Sequence, residues 1–410
     1  MAAEEWSSRK VRDFAVRCKT INVDGTLLPP LSITKGRGVV LQSEKYKKQI
    51  ATDLRKYVVA RRDQFAFDPM SLYYGAIGRV ASIEIGLVSP DYVVFDVDDT
   101  VDKTYLNYLL RSPEQVAVYE TVAETGNSFG KRRRVYWSVF EDLEVSLPPR
   151  EEQRMIATIL SSMDATIEAA QAVIDQLHVV RKSTTAELLT RGLPGRHTLF
   201  KQTEIGEVPE EWNVRALRGV AALSSGGTPS RDRPEYWNGD IPWVKTGEID
   251  YGVITEVEEM ISHAGLEHSS AKMLAPGTLL MAMYGQGVTR GRVAILGIHA
   301  AVNQACLAIT PSAGISTRFL FHVFMHKYDE LRALGHEGAQ KNLNATLVGD
   351  VSVPMPSGEE QASIVAILDD VRVRIEQEVL FQDGLVSLKS ALSSALLTGE
   401  LRVRPDERKS

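Results

Sequence analysis

The chain states one pattern twice, about 208 residues apart. Leu143-Glu144-Val145-Ser146-Leu147-Pro148-Pro149-Arg150-Glu151-Glu152-Gln153 returns as Val351-Ser352-Val353-Pro354-Met355-Pro356-Ser357-Gly358-Glu359-Glu360-Gln361. At that single offset, without gaps, residues 151–193 and 359–401 share 14 identities in 43 positions, among them Ile156/Ile364, Leu160/Leu368, Ile167/Ile375 and Leu188/Leu396. Solenoid units recur every ~20–50 residues, so this period duplicates a whole domain with its helix. A chain with two similar halves suits a target that also has two halves.

Both copies open a long helical stretch. In the first, apolar residues step by four and three through Ile156, Leu160, Met163, Ile167, Ala170, Ile174 and Leu177, then Thr184 and Leu188, with Arg181 as a polar interruption. The second runs through Ile364, Leu368, Val371, Ile375, Val379, Leu385, Leu392 and Leu396. These are heptad seams, and Gly384 inside the second costs about 1 kcal/mol against alanine. Each helix spans roughly 60 Å at 1.5 Å per residue and needs a partner for its stripe. The repeat supplies one: antiparallel pairing gives a pseudo-twofold within one chain.

The expected organisation is α+β, with two globular α/β domains joined by two long antiparallel helices. The expected segments are a first domain at 1–147, a helix at 148–192, a linker at 193–209, a second domain at 210–353, a helix at 354–400 and a tail at 401–410. The domains also echo each other faintly. Glu4-Glu5-Trp6 matches Glu210-Glu211-Trp212, and Tyr105-Leu106-Asn107-Tyr108 parallels Phe319-Leu320-Phe321-His322.

Net charge is −6, yet residues 9–62 carry 14 Lys and Arg against four acids, and Lys131-Arg132-Arg133-Arg134 adds a second basic run. Phosphate binding needs a local positive face, not a positive total. No apolar run reaches the ~18 residues of a membrane span, the start lacks signal-peptide features, and Cys18 and Cys306 make no ligand pattern. A cytoplasmic protein with free thiols is expected.

Catalytic signals are weak. Val93-Val94-Phe95-Asp96-Val97-Asp98-Asp99-Thr100-Val101 resembles the aspartate-nucleophile motif of haloacid-dehalogenase-like phosphatases. That chemistry needs a downstream lysine and an acidic pair on later strands, and too little chain remains before the first long helix. Residues 285–291 are Gly-rich but lack the P-loop lysine, and the histidines show no metal spacing. No catalytic residue and no metal ligand is assigned.

The combination resembles the specificity subunit of a type I restriction–modification system. It is carried by Leu147-Pro148-Pro149-Arg150-Glu151-Glu152-Gln153 opening a helix and Leu188-Leu189-Thr190-Arg191-Gly192 closing it. Further marks are Thr203-Glu204-Ile205-Gly206-Glu207-Val208-Pro209-Glu210-Glu211-Trp212, Gly226-Gly227-Thr228-Pro229-Ser230, Trp237-Asn238-Gly239-Asp240-Ile241-Pro242-Trp243 and Leu396-Leu397-Thr398-Gly399-Glu400-Leu401. The likeness covers essentially the whole chain, and residues 20–65 depart most.

This resemblance implies two target-recognition domains reading a bipartite double-stranded DNA site, with the helices as spacer. It implies docking of two methyltransferase subunits and of restriction/translocase subunits. S-adenosylmethionine, ATP and Mg would sit on those partners, and no cofactor on this chain. Expected DNA-contacting residues are Tyr74, Arg79, Lys131, Arg132, Arg133 and Arg134 in the first domain. In the second they are Thr228, Ser230, Arg231, Arg233, Gln286, Arg290, Arg292, Lys341 and Asn342. Expected helix-pairing or partner positions are Ile156, Leu160, Met163, Ile167, Leu177, Ile364, Leu368, Val371, Ile375 and Leu385. The competing reading is a coiled-coil adaptor that binds proteins only; the phosphatase reading is more remote.

Overall fold

The computed structural model describes residues 5–45, 53–125, 133–285, 287–334 and 342–404. It divides into two compact units, Met1–Gln171 with Leu380–Ser410, and Ala172–Val379. The division falls inside both long helices, so each unit holds one globular domain and one half of each helix.

In the first unit, strands β1 (Ser7–Lys10), β2 (Ala15–Cys18), β3 (Phe65–Phe67), β4 (Ile77–Arg79) and β5 (Val93–Val97) precede helix α1 (Lys103–Leu109) and strand β6 (Glu144–Leu147). An antiparallel sheet of order β2-β5-β3-β4 forms the centre. Strand alternation explains its two cores. Val93, Phe95 and Val97 join Phe65 and Phe67 on one face, while Val94 and Ala66 enter a smaller cluster on the other. Strand β1 pairs with β6 from Ser7↔Leu147 to Lys10↔Glu144. Pro148-Pro149 then removes two ladder donors and ends the strand, and helix α2 (Arg150–Thr190) begins.

The second unit repeats this entry. Strand β7 (Asn213–Ala216) and strands β8 (Ala221–Ser225), β9 (Trp237–Val244), β10 (Leu279–Ala282), β11 (Val293–Leu296) and β12 (Cys306–Pro311) lead to helices α3 (Thr317–His326) and α4 (Tyr328–Leu334). Strand β13 (Ser352–Met355) pairs antiparallel with β7 and hands over to helix α5 (Gly358–Thr398). The main sheet has the order β8-β12-β10-β11, with the short strand Val253–Ile254 at its edge. Leu279 and Met281 face one core, Leu280 and Ala282 the other.

Within each unit the halves of α2 and α5 run antiparallel. In the first, Glu152 meets Arg402, Asp164 meets Lys389 and Gln171 meets Gln382, one number falling as the other rises. Ile156 and Leu160 share a core with Leu396 and Leu397. In the second unit, Leu188 and Leu189 share one with Ile364 and Leu368. Ile375 is also buried, whereas Met163, Ile167, Leu177, Val371 and Leu385 are only half-buried. Helix α5 continues through Gly384.

The repeated Glu-Glu-Gln performs the same two tasks in each unit. Gln153 Oε1 accepts the backbone N–H of Asp102, the N-cap of α1, at 2.8 Å. Gln361 Oε1 accepts that of Ser316, the N-cap of α3, at 2.9 Å. The glutamates clasp the segment that follows the other helix. Buried Glu152 receives Arg402 bidentately at 2.8 Å through Nε and Nη2, and the Val403 N–H at 3.2 Å. Buried Glu360 receives Trp212 Nε1 at 3.0 Å and the Leu193 N–H at 3.3 Å, with His197 Nε2 at 2.8 Å. Buried carboxylates are tolerated only with such donors. Gly192 and Gly399, at φ +76° and +80°, make the left-handed turns that release the chain after each helix.

Candidate nucleic-acid interface

In the first unit the basic loop returns through Arg133 and Arg134. Arg133 is occupied: it lies 5.2 Å over the Tyr73 ring and pairs with Glu120 at 3.3 Å. Arg134 shares a cleft of about 370 Å³ with Arg17, Met70, Tyr136 and Trp137. Neither Arg17 nor Arg134 has an acidic partner within ion-pair distance among the described residues. The cleft thus combines two guanidinium groups outside any ion pair with two aromatic rings and the Asp91 carboxylate, a composition suited to phosphate and base contact. Tyr74 is exposed beside it in sequence, edge-on to Tyr73. Arg79 turns inward instead: its Nη1 donates to Thr104 Oγ1 at 2.9 Å and its backbone N–H to Asn107 Oδ1 at 3.0 Å. Lys131 and Arg132 lie outside the described residues.

The acidic motif nearby serves the local fold. Asp96 faces Lys103 at 3.2 Å, Asp98 Oδ1 accepts the Thr100 N–H at 2.8 Å, and Asp102 caps α1.

In the second unit the Gly-Gly-Thr-Pro turn is held against the domain. A Cβ on Gly226 would stand 1.9 Å from the Val302 carbonyl oxygen, so only glycine fits. Trp243 Nε1 donates to the Gly227 carbonyl at 2.9 Å, and Trp237 Nε1 to that of Ser230 at 3.1 Å. Thr228 Oγ1 bonds Gln304, and Ser230 Oγ accepts the Asp232 N–H at 3.3 Å. This rigid turn presents Arg231, whose guanidinium lies 3.5 Å from the Trp237 ring centroid and 2.7 Å from Glu259. Lys245 stands 2.9 Å from both Glu258 and Glu259, and their hydrogen bonds raise its pKa strongly, keeping it charged. Burial alone would raise Glu259, but hydrogen bonds from Lys245 and Arg231 hold it below the usual carboxylate range. Arg231, Lys245, Glu258 and Asn303 rim a shallow concavity of about 510 Å³, mixing donors and acceptors of the kind that read base edges.

Arg233 pairs with Glu235 at 3.5 Å, and Arg292 with Asp250 at 2.6 Å. Asn342 is exposed. Arg290 departs from its expected outward placement. It is 7% exposed and its Nη2 donates to the Arg332 carbonyl at 3.2 Å, so it braces the loop from inside. Gln286 and Lys341 lie outside the described residues. Sequence reasoning placed Arg17 in the basic stretch 9–62 without singling it out, and passed over Tyr136, Lys245 and Glu258; the Trp237–Trp243 motif was the available signal for the second group.

Two helix-joined domains with the same clasps call for comparison with known proteins. The model of the type I restriction modification DNA specificity domain matches twice, at residues 4–179 and 209–380. The chain belongs to the type I restriction–modification specificity-subunit family. It is 26% identical over 417 residues to the type I restriction enzyme MjaVIII specificity subunit of Methanocaldococcus jannaschii, covering 98% of this chain and 94% of that protein. It is 23% identical to the HindI specificity subunit of Haemophilus influenzae, covering 77% and 81%. Among solved structures, a chain from a study of type I system assembly and conformational transition aligns with a TM-score of 0.62 at 15% identity, over 98% of this chain and 100% of that one. The HsdS subunit from Thermoanaerobacter tengcongensis aligns with a TM-score of 0.51 at 16% identity, over 97% of each. Specificity subunits are non-catalytic recognition components. Among the described residues no helix is long and apolar enough to cross a membrane.

Proposed function

We propose that this specificity subunit reads a bipartite duplex DNA site, one part with each domain. One observation carries the reading: the same Glu-Glu-Gln clasps hold each domain to the helices, while the exposed chemistry of the two domains differs. The first offers the Arg17/Arg134 cleft with Tyr74, Tyr136 and Trp137. The second offers Thr228, Ser230 and Arg231 on their tryptophan-braced turn, the Lys245/Glu258 rim, Arg233, Arg292 and Asn342. A common frame with divergent faces suits two different half-sites, with Lys and Arg setting register on phosphates and polar side chains reading bases.

Methyltransferase subunits, bringing S-adenosylmethionine, dock on the long helices in this reading, and restriction/translocase subunits bring ATP and Mg. The helices have apolar surface to offer: Leu380 and Phe381 are 71% and 55% exposed, and Val386 and Leu388 lie near them in sequence, also exposed. Exposed apolar patches of this kind mark protein contacts.

The test is adenine-methylation mapping in a host carrying the partner methyltransferase, with and without this chain. A bipartite motif should be present only with the chain. Exchanging the first domain for that of a relative should change one half of the motif and leave the other. A motif that changes in both halves, or none at all, overturns the reading.

A further inference from the structure

In each unit a helix of the globular domain leans on the long helices through one polar cluster, and the two clusters differ by a charge reversal. In the first, Tyr108 on α1 donates to Asp164 Oδ2 at 2.6 Å, and Asp164 is ion-paired with Lys389. Burial and this hydrogen bond push the Tyr108 phenol up to about 12. The Gln153–Asp102 and Gln361–Ser316 contacts align α1 with α3, so His322 takes the place of Tyr108. The helix repeat sets Asp369 for Ser161, Arg372 for Asp164 and Arg181 for Lys389.

His322 Nε2 accordingly meets Asp369 Oδ1 at 3.0 Å, and Asp369 also accepts from Arg318 Nε at 2.5 Å. Where the first unit has a carboxylate, however, the second has the Arg372 guanidinium. Its Nη1 donates to Glu376 at 2.7 Å. Its Nε is buried without a hydrogen bond, with the Asp369 oxygen 3.9 Å away. Arg181 has lost its counterpart of Asp164 and has no acidic partner among the described residues.

Arg181, Lys182 and Arg372 open together on a cavity of about 700 Å³, with His178, His322, His326, Tyr251 and Tyr328. Of the acids that reach it, Asp250 is taken by Arg292 and Glu376 by Arg372, leaving exposed Asp329. Burial depresses His322 and His326, and cations add to it: Arg318 and Arg372 at the first, outweighing no more than part of what Asp369 restores, and Lys327 and Lys182 at the second.

We infer that this cavity is an oxyanion site that takes a carboxylate between Arg181 and Arg372, the group the first unit provides for itself as Asp164. Paired guanidinium groups favour a carboxylate over a single point charge. A free polycarboxylate and an acidic side chain presented by a methyltransferase subunit share that chemistry.

The inference needs no DNA, so its failure is separate from failure of the reading above. Citrate is titrated in the low-millimolar range at constant ionic strength into the full chain, and into R372D and R181Q, with thermal unfolding as readout. The wild type should show a saturable rise of about 3–5 °C at ten times the dissociation constant. R372D supplies the missing carboxylate internally, so it should fold and show no rise; R181Q should show none either. An unresponsive wild type, or an equal rise in R181Q, overturns the site. Repeating the titration with excess methyltransferase subunit identifies the source. Loss of the citrate response assigns the site to a partner carboxylate, and its persistence to a free one.

Discussion

Replacing Glu360 by alanine tests the clasp directly. The carboxylate is 2% exposed and satisfies Trp212 Nε1, the Leu193 N–H and His197. Removing it strands two N–H donors in a packed environment, each costing about 1–3 kcal/mol. The expected loss is about 2–5 kcal/mol, or roughly 5–15 °C in the transition of a unit of this size. Calorimetry of the full chain, supported by urea unfolding, measures it. Glu359, the preceding residue in the same helical turn, has its side chain 83% exposed, so E359A should stay within about 0.5 kcal/mol of wild type. The pH dependence has a definite sign. Burial alone would raise Glu360, but hydrogen bonds from His197, Trp212 and Leu193 bring it below the ordinary carboxylate value. Its stabilisation is therefore present above the unfolded value of about 4.3 and disappears as pH falls through the folded one. The gap between wild type and E360A should narrow as pH falls below about 4. Equal melting temperatures for E360A and E359A at pH 7 would refute the clasp.

Three further outcomes are expected. R17A and R134A should each weaken DNA binding by the complex and reduce the salt slope by about one; gel-shift titrations at several salt concentrations measure this, and an unchanged slope removes the residue from the interface. Gln382 Nε2 donates to Gln171 Oε1 at 3.0 Å on the exposed side of the helix pair of the first unit. The double replacement Q171L/Q382L should leave stability within about 0.5 kcal/mol of wild type while permitting alternative helix registers, which engineered cysteine cross-linking detects. G399A places a Cβ 3.2 Å from the Trp6 ring at a φ of +80° and should cost about 1–2 kcal/mol, read by urea unfolding.

The long helices were legible because heptad spacing is a one-dimensional signal that survives in Ile156, Leu160, Ile364 and Leu368. The division of duty within Glu-Glu-Gln was not. Its repetition was visible, but Arg402 lies 250 residues from Glu152 and Trp212 lies 148 from Glu360, and no local pattern links them. The candidate interface was legible as regions more than as residues. Arg231 sits on its tryptophan shelf where the turn motif placed it, whereas Arg290, followed by Gly291 in another glycine-rich loop, is pulled inside by the Arg332 carbonyl. Single charges such as Arg17 and Lys245 gain their meaning only from neighbours brought by the sheet.

The clasp on Glu152 also imposes an order on biosynthesis. The first unit is completed by residues 380–403, which supply Leu396, Leu397 and Arg402 to its core and clasp. A ribosome must therefore make all of Ala172–Val379 first. At 5–20 residues per second that delay is about 10–40 s. Throughout it, Ile156 and Leu160 lack their covering residues and Glu152 lacks its arginine. The half of the molecule synthesised first is thus the half that finishes folding last, and it is the nascent chain's natural client surface for a chaperone.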